Sequence, residues 1–161
     1  MDTEEHKISN TWTIWFHKID DKKWTIDSYK NIARITNLES YIYYYKEIST
    51  FIHGMFFVMK DNIPPLWEDE NNINGGIITY KLTKSHSDDV WKELTSALIG
   101  GTLTNNIDLI NGISISPKIN NCIIKIWVNK RSMLEKIEFN NELEFIKNNI
   151  PIFKTFNNTS Y

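Results

Sequence analysis

Cysteine is nearly absent: Cys122 stands alone among 161 residues. No intrachain disulfide is available, and a reducing compartment fits. No stretch approaches the roughly 20 consecutive apolar residues of a membrane span, so no membrane partner is expected. Met1 to Asn10 is polar and of mixed charge, unlike a secretory signal. A basic excess is missing too, since 18 Lys and Arg face 20 Asp and Glu for a net charge of −2. That balance excludes a protein that grips a long phosphate backbone, because such a grip is electrostatic. A nucleic-acid ligand, if any, should be a single nucleotide or a chain terminus. His6, His17, His53 and His86 lack metal-ligand spacing, so neither metal nor cofactor is expected. What is present is core material, at 41% hydrophobic residues. The expected organisation is a short arm over residues 1–10 and a single domain over 11–161, in a soluble, cytoplasmic monomer.

Two of the four prolines are adjacent, in Ile63-Pro64-Pro65-Leu66-Trp67-Glu68-Asp69-Glu70. They exclude a helix interior and a central strand, so Trp67 is expected on a stiff loop. A loop tryptophan beside three acids has few routes into a core, but it can stack on a flat ligand. Glu68 can then accept hydrogen bonds from that ligand's donor edge. Guanine is the natural match, because its ring N–H and exocyclic amine lie side by side and one carboxylate can take both.

Residues 11–16 read as a strand carrying Trp12 and Trp15, followed by the charged turn Asp20-Asp21-Lys22-Lys23 and Trp24. Thr36 with Glu39 reads as a capping box before a helix with Leu38, Tyr41, Ile42, Tyr45 and Ile48 on one stripe. Strands are expected at 56–59 and 77–80, after Gly75-Gly76. Ser87 is expected to cap a second helix with Val90, Trp91, Leu94 and Leu98 inward, closed by Gly100-Gly101. Ser132 with Glu135 is expected to cap a third helix reaching about Asn148, and a last strand covers 152–156. Trp12, Trp15 and Trp91, among apolar neighbours, are expected in structural roles.

Residues 113–118 and 122–128 read as a hairpin turning at Asn120-Asn121, with Lys118 opposite Ile123 and Ser116 opposite Lys125. Alternation puts Ile123, Lys125 and Trp127 on one face with Ser114, Ser116 and Lys118. Trp127 beside two lysines would wall in an aromatic, anionic ligand. The expected fold class is α+β: one antiparallel sheet backed on a single face by three helices, the other face free for a ligand.

Trp67-Glu68-Asp69-Glu70-Asn71-Asn72-Ile73-Asn74-Gly75-Gly76 resembles the W-E-D-E-x-N-x-x-G-G motif of the eukaryotic translation initiation factor 4E family, which binds the mRNA 5′ cap. The tryptophans at 12, 15, 24, 67, 91 and 127 share that family's spacing, and the similarity runs from about Trp12 to Phe156. The resemblance implies a curved antiparallel sheet, three α-helices on its convex face and the cap site on its concave face. It implies 7-methylguanine held between Trp24 and Trp67, Glu68 on the guanine donors, the Trp67 N–H on the base carbonyl and Trp127 against the methyl group. Methylation makes the purine cationic, which adds a cation–π term to stacking and charge to the carboxylate bond.

Two regions depart from the family pattern. Its three phosphate-binding basic positions read Lys118, Asn120 and Ile123 here, and the basic residue expected after the glycine pair is Ile77. Lys118 and Lys125 are the expected phosphate ligands. On the back, Ile42 replaces the tryptophan that anchors partner helices, flanked by Leu38, and Glu93 persists while Lys92 and Ser96 replace apolar residues. A scaffold of the initiation factor 4G type would then bind through a non-standard motif. With Ile/Asn-rich composition and ends near the expected core, these departures point to a divergent member, from a parasite or a large DNA virus. The leading expectation is cap binding for translation initiation, and the alternative is a competitor that sequesters caps without a scaffold. An enzyme is disfavoured, since three adjacent loop acids cannot converge on one metal and no nucleophile–base pair stands out.

Overall fold

A computed structural model describes residues 4–47 and 54–156. Ile48 and His53 lie outside the described residues. Seven strands form one sheet: β1 (Lys7–Lys18), β2 (Tyr29–Asn37), β3 (Gly54–Lys60), β4 (Gly76–Thr83), β5 (Ile110–Pro117), β6 (Asn121–Val128) and β7 (Ile152–Thr155). Their spatial order is β2-β1-β3-β5-β6-β4-β7, with every neighbouring pair antiparallel. The helices are α1 (Leu38–Glu47), α2 (Ser87–Ile99) and the short α3 (Glu144–Asn148). The α+β class and the curved antiparallel sheet backed by three helices are as expected.

Alternation along the strands builds two apolar layers. Trp12, Ile14, Phe56, Val58, Ile78, Tyr80, Ile113, Ile124 and Ile126 point to one face and pack with Trp91, Leu94 and Leu98 of α2. Leu38, Tyr41 and Tyr45 of α1 and Phe145 of α3 cover the same layer. On the opposite face Phe57, Met59, Ile77 and Trp127 form a smaller cluster joined by Trp15, Tyr29, Met55 and Phe156. All helices therefore lie on one side, and the second side is left for a site.

Several local expectations are corrected. β1 begins at Lys7, so the end of the expected arm is already strand. The first helix is capped one residue later than the Thr36–Glu39 box: the Asn37 side-chain oxygen accepts the Ser40 N–H at 2.7 Å, while the Glu39 carboxylate accepts the His6 N–H. Ser87 is no cap, because its hydroxyl donates backwards to the Lys84 carbonyl at 2.7 Å. Gly101 does close α2, with φ at +76°, which only glycine adopts cheaply.

The third helix is much shorter than expected. Residues 131–133 form a single 3₁₀ turn, hydrogen-bonded turns run on to Lys136, and no further helix forms until Glu144. Tertiary bonds claim the backbone in between: the Asn140 N–H donates to the Leu103 carbonyl at 2.9 Å and the Thr104 hydroxyl to the Glu138 carbonyl at 2.6 Å. Phe139 pairs with Thr104 as an isolated bridge. The hairpin register also differs by two, with Ser116 opposite Ile123 and Ser114 opposite Lys125. The Lys118 N–H donates to the Asn121 carbonyl at 2.7 Å, which moves the turn to Ile119-Asn120. A shift of two preserves each side chain's face, so the expected polar and apolar faces hold.

Candidate functional site

On the helix-free face a cleft of about 420 Å³ is lined by Trp24, Tyr29, Trp67, Glu68, Lys125, Trp127 and Phe156, with Ser114 and Ser116 on its floor. A larger hollow of about 810 Å³ lies between residues 101–105 and 138–141. Its lining is glycine, threonine, asparagine, Phe139 and one carboxylate, Glu138, with a single aromatic ring, no tryptophan and no cation. The smaller cleft holds the aromatic and charged groups together.

The Trp67 loop is rigid for reasons written in its own sequence. The buried Asn72 side chain donates to the carbonyls of Pro64 at 3.1 Å and Leu66 at 2.8 Å. Asn111 in turn donates to the Asn72 side-chain oxygen at 2.9 Å and to the Asn71 carbonyl at 2.8 Å. Asp69 braces the turn by accepting the Asn71 N–H at 2.9 Å. These bonds hold Trp67 outward at 43% exposure, although an indole is normally sequestered. Among the described residues neither the Trp67 N–H nor the Glu68 carboxylate has a hydrogen-bond partner, so both are available to a ligand.

Trp24 is 50% exposed on the loop between β1 and β2. Its inner face lies parallel on the His17 ring, with centroids 4.2 Å apart and 6° between planes. Tyr29 stands beside them, and its phenol is pushed up to about 12 by burial and, secondarily, by the Glu68 charge. Trp127 is 6% exposed and donates its indole N–H to the Ser114 hydroxyl at 3.1 Å. It packs edge-on to Phe57 and tilted against Phe156, so it is a wall of the cleft rather than a free plate.

Burial, then the charges of Lys118 and Lys154, hold the Lys125 ammonium below the usual lysine range. Lys118 is exposed at the hairpin end and lies outside the cleft lining. Lys154 is a third cation that the sequence reading missed. It pairs with Ile77 across β4 and β7, which places it on the face where a basic residue was expected at position 77. Only strand pairing reveals that proximity, because 77 residues separate the two positions (154 − 77). Tyr29 and Phe156 in the cleft lining, and His17 behind Trp24, carry no motif either, since strand pairing and tertiary packing bring them there.

The dorsal residues are far from the cleft, on the helix side. Ile42 and Tyr43 are exposed at 52% and 60%, and Leu38 and Glu93 are half-buried. The seam between α1 and α2 is bridged by the Tyr41 hydroxyl, 2.7 Å from the Thr95 hydroxyl and 3.0 Å from that of Ser96. Lys92 sits over the Tyr45 ring at 5.8 Å. Among the described residues no cluster of three His, Cys, Asp or Glu could hold a metal ion, and no helix is long and apolar enough to cross a membrane.

The profile of the family described as "Eukaryotic initiation factor 4E" matches residues 7–160. The human eukaryotic translation initiation factor 4E is 30% identical over 131 residues, 76% of this chain and 60% of that protein. A homologue from Acanthamoeba polyphaga mimivirus is 42% identical over 64 residues, 38% of this chain and 24% of that protein. The chain spans about 60% of the length of the vertebrate relatives it matches. A solved complex of Caenorhabditis elegans eIF4E-3 with the 4E-binding protein Mextli and a cap analog has the same fold, at a TM-score of 0.82 and 21% identity, covering 94% of this chain and 93% of that one. Matched over almost its whole length, the chain belongs to the eukaryotic initiation factor 4E family.

Proposed function

We propose that the chain binds the 7-methylguanosine cap of mRNA in this cleft and serves translation initiation in the cytoplasm, as a binding protein rather than an enzyme. One observation carries the reading: two half-exposed tryptophans, each fixed from behind, open on a cleft beside an unpartnered carboxylate. Trp24 and Trp67 would sandwich the base, Glu68 would accept from its two donors, and the Trp67 N–H would donate to its carbonyl oxygen. Trp127 would meet the methyl group. The cationic base gains roughly 0.5–2 kcal/mol of cation–π attraction in addition to ~1–3 kcal/mol of stacking, so the methylated form is preferred. Tryptophan fluorescence titrated with 7-methyl-GTP and with GTP tests this. Strong quenching by the first at concentrations where the second does little is expected; equal response to both would defeat the reading.

The lysines are assigned to the cap phosphates, with Lys125 innermost, Lys118 at the hairpin tip and Lys154 completing the group. Lys125→Ala is expected to weaken 7-methyl-GTP binding by about tenfold to a hundredfold, the scale of a charge-assisted bond. The loss for the 7-methylguanosine nucleoside should be under about threefold. Calorimetry with both ligands separates the effects, and equal losses would place Lys125 elsewhere.

A second reading, capture of caps without recruitment of an ordinary scaffold, is favoured by the tyrosine-bridged seam between α1 and α2 and by Ile42 in the anchor position. On the first reading, by contrast, a scaffold of the initiation factor 4G type would dock on Leu38, Ile42 and Glu93 through a non-standard motif.

A further inference from the structure

His17 is 0% exposed beneath Trp24, one residue before the end of β1. Its Nδ1 lies 2.9 Å from the Lys18 carbonyl oxygen and its Nε2 2.6 Å from the Lys23 carbonyl oxygen. A carbonyl oxygen can only accept, so each bond requires a hydrogen on that ring nitrogen. Neutral imidazole carries one such hydrogen and imidazolium carries two. In the neutral form one buried nitrogen would turn a lone pair on a carbonyl, a costly arrangement away from water. The two carbonyls flank the turn that delivers Trp24, and the imidazole plane is also the surface on which that indole rests.

We propose that His17 is a positioning residue that works as a protonated clasp: its two N–H groups fasten both ends of the loop of residues 18–23 and hold Trp24 flat for stacking. The inference rests on the cap reading for its ligand, but the clasp itself is a property of the unliganded protein. Neutral groups and charges of both signs surround the ring. From β2 comes Tyr29, whose ring lies 4.7 Å away and whose phenol stays neutral, with a value of about 12. From β3 comes Met55, opposite His17 in register and uncharged. The loop itself carries Lys18, Lys22 and Lys23 against Asp20 and Asp21, and Asp21 accepts the Lys23 N–H at 2.9 Å. Asp27 lies beyond Trp24, within the field of Lys23, and Glu68 stands across the cleft near Tyr29. The indole face adds a cation–π contact. The sign follows from the donor count. The clasp is complete while the ring carries both hydrogens and loses one of its two bonds when either hydrogen is given up.

The test has two arms. Long-range nitrogen–proton NMR on the ring of His17 in the wild-type protein reads its protonation directly. Both nitrogens should carry hydrogen at pH 6, and a single neutral tautomer there would overturn the clasp without any variant. In the second arm, 7-methyl-GTP affinity is measured from pH 6.0 to 8.5 for wild type and His17→Phe, which keeps a flat ring for stacking but donates nothing. The wild-type advantage should be about fivefold or more at pH 6 and shrink to within about twofold at pH 8.5, and taking the ratio cancels titration of the ligand itself. A ratio constant across pH would reduce His17 to a packing ring and overturn the proposal. If wild type and Trp67→Ala bind the nucleotide equally, the cap reading fails by itself. The nitrogen signals then still uphold or overturn the clasp.

Discussion

Trp67→Ala is expected to lower affinity for 7-methyl-GTP by roughly 10-fold to 4,000-fold, while the protein stays folded. The lost terms are ~1–3 kcal/mol of base stacking and about 0.5–2 kcal/mol of cation–π attraction, at tenfold per roughly 1.4 kcal/mol. The fold should tolerate the change because the indole adds little to the core at 43% exposure. Its loop is held without it, by the Asn72 side chain on the Pro64 and Leu66 carbonyls and by Asn111 behind. GTP, which lacks the positive charge, should lose less, so the preference for the methylated nucleotide should shrink as well. Calorimetric titration with both nucleotides, beside a thermal melt, checks all three parts. Affinity within about threefold of wild type would show that Trp67 is not a plate of the site. A melt lowered by more than a few degrees would show that it is a core residue after all.

The parts of this molecule legible in the sequence are those fixed by local chemistry. Pro64 and Pro65 force a loop whatever surrounds them, and the hairpin's two faces follow from alternation alone, which is why they survived a register error of two. Gly101 is legible for the same reason, since one residue supplies the left-handed turn. What the sequence hid depends on remote partners. The stretch after Ser132 carries a capping pattern, yet Asn140 spends its backbone and side-chain donors on the carbonyls of Leu103 and Thr102. Those bonds, made across more than 30 positions, outweigh a helical propensity that asparagines already weaken. Lys154 and His17 were hidden in the same way. Neither belongs to a motif, and each is brought near the cleft only by its strand partners, Ile77 for the first and Tyr29 and Met55 for the second. The sequence thus displayed the base-reading loop and left the layer that supports it to the sheet register.

Gly75→Ala should be the most damaging single methyl in the chain, because it strikes fold and site together. A Cβ at Gly75 would lie 1.8 Å from the Val128 carbonyl oxygen and 2.8 Å from its carbon, both main-chain atoms of the central hairpin. A flexible side chain could swing aside, but this carbonyl cannot without unzipping β4 from β6, which pair at Gly76 and Val128. The Gly75 N–H donates to the Asn72 carbonyl at 2.8 Å, and its own carbonyl accepts the Phe156 N–H at 3.0 Å. Displacing Gly75 therefore pulls on the Trp67 loop through Asn72 and on a wall of the cleft through Phe156. Overpacking costs typically 1–3 kcal/mol when side chains can yield, and a main-chain clash with two hydrogen bonds at stake belongs above that range. A loss of about 3–5 kcal/mol is expected. For a chain of this size that is a fall in Tm of roughly 6–20 °C. Cap affinity measured well below the new Tm should fall as well, by about tenfold or more, since the loop geometry moves with the glycine. Gly101→Ala provides the contrast. It meets no atom within 4 Å and is penalised only by its positive φ, so it should cost about 1 kcal/mol and leave the cleft untouched. Equal melts for the two variants would show that the β4–β6 junction yields more easily than its close packing implies.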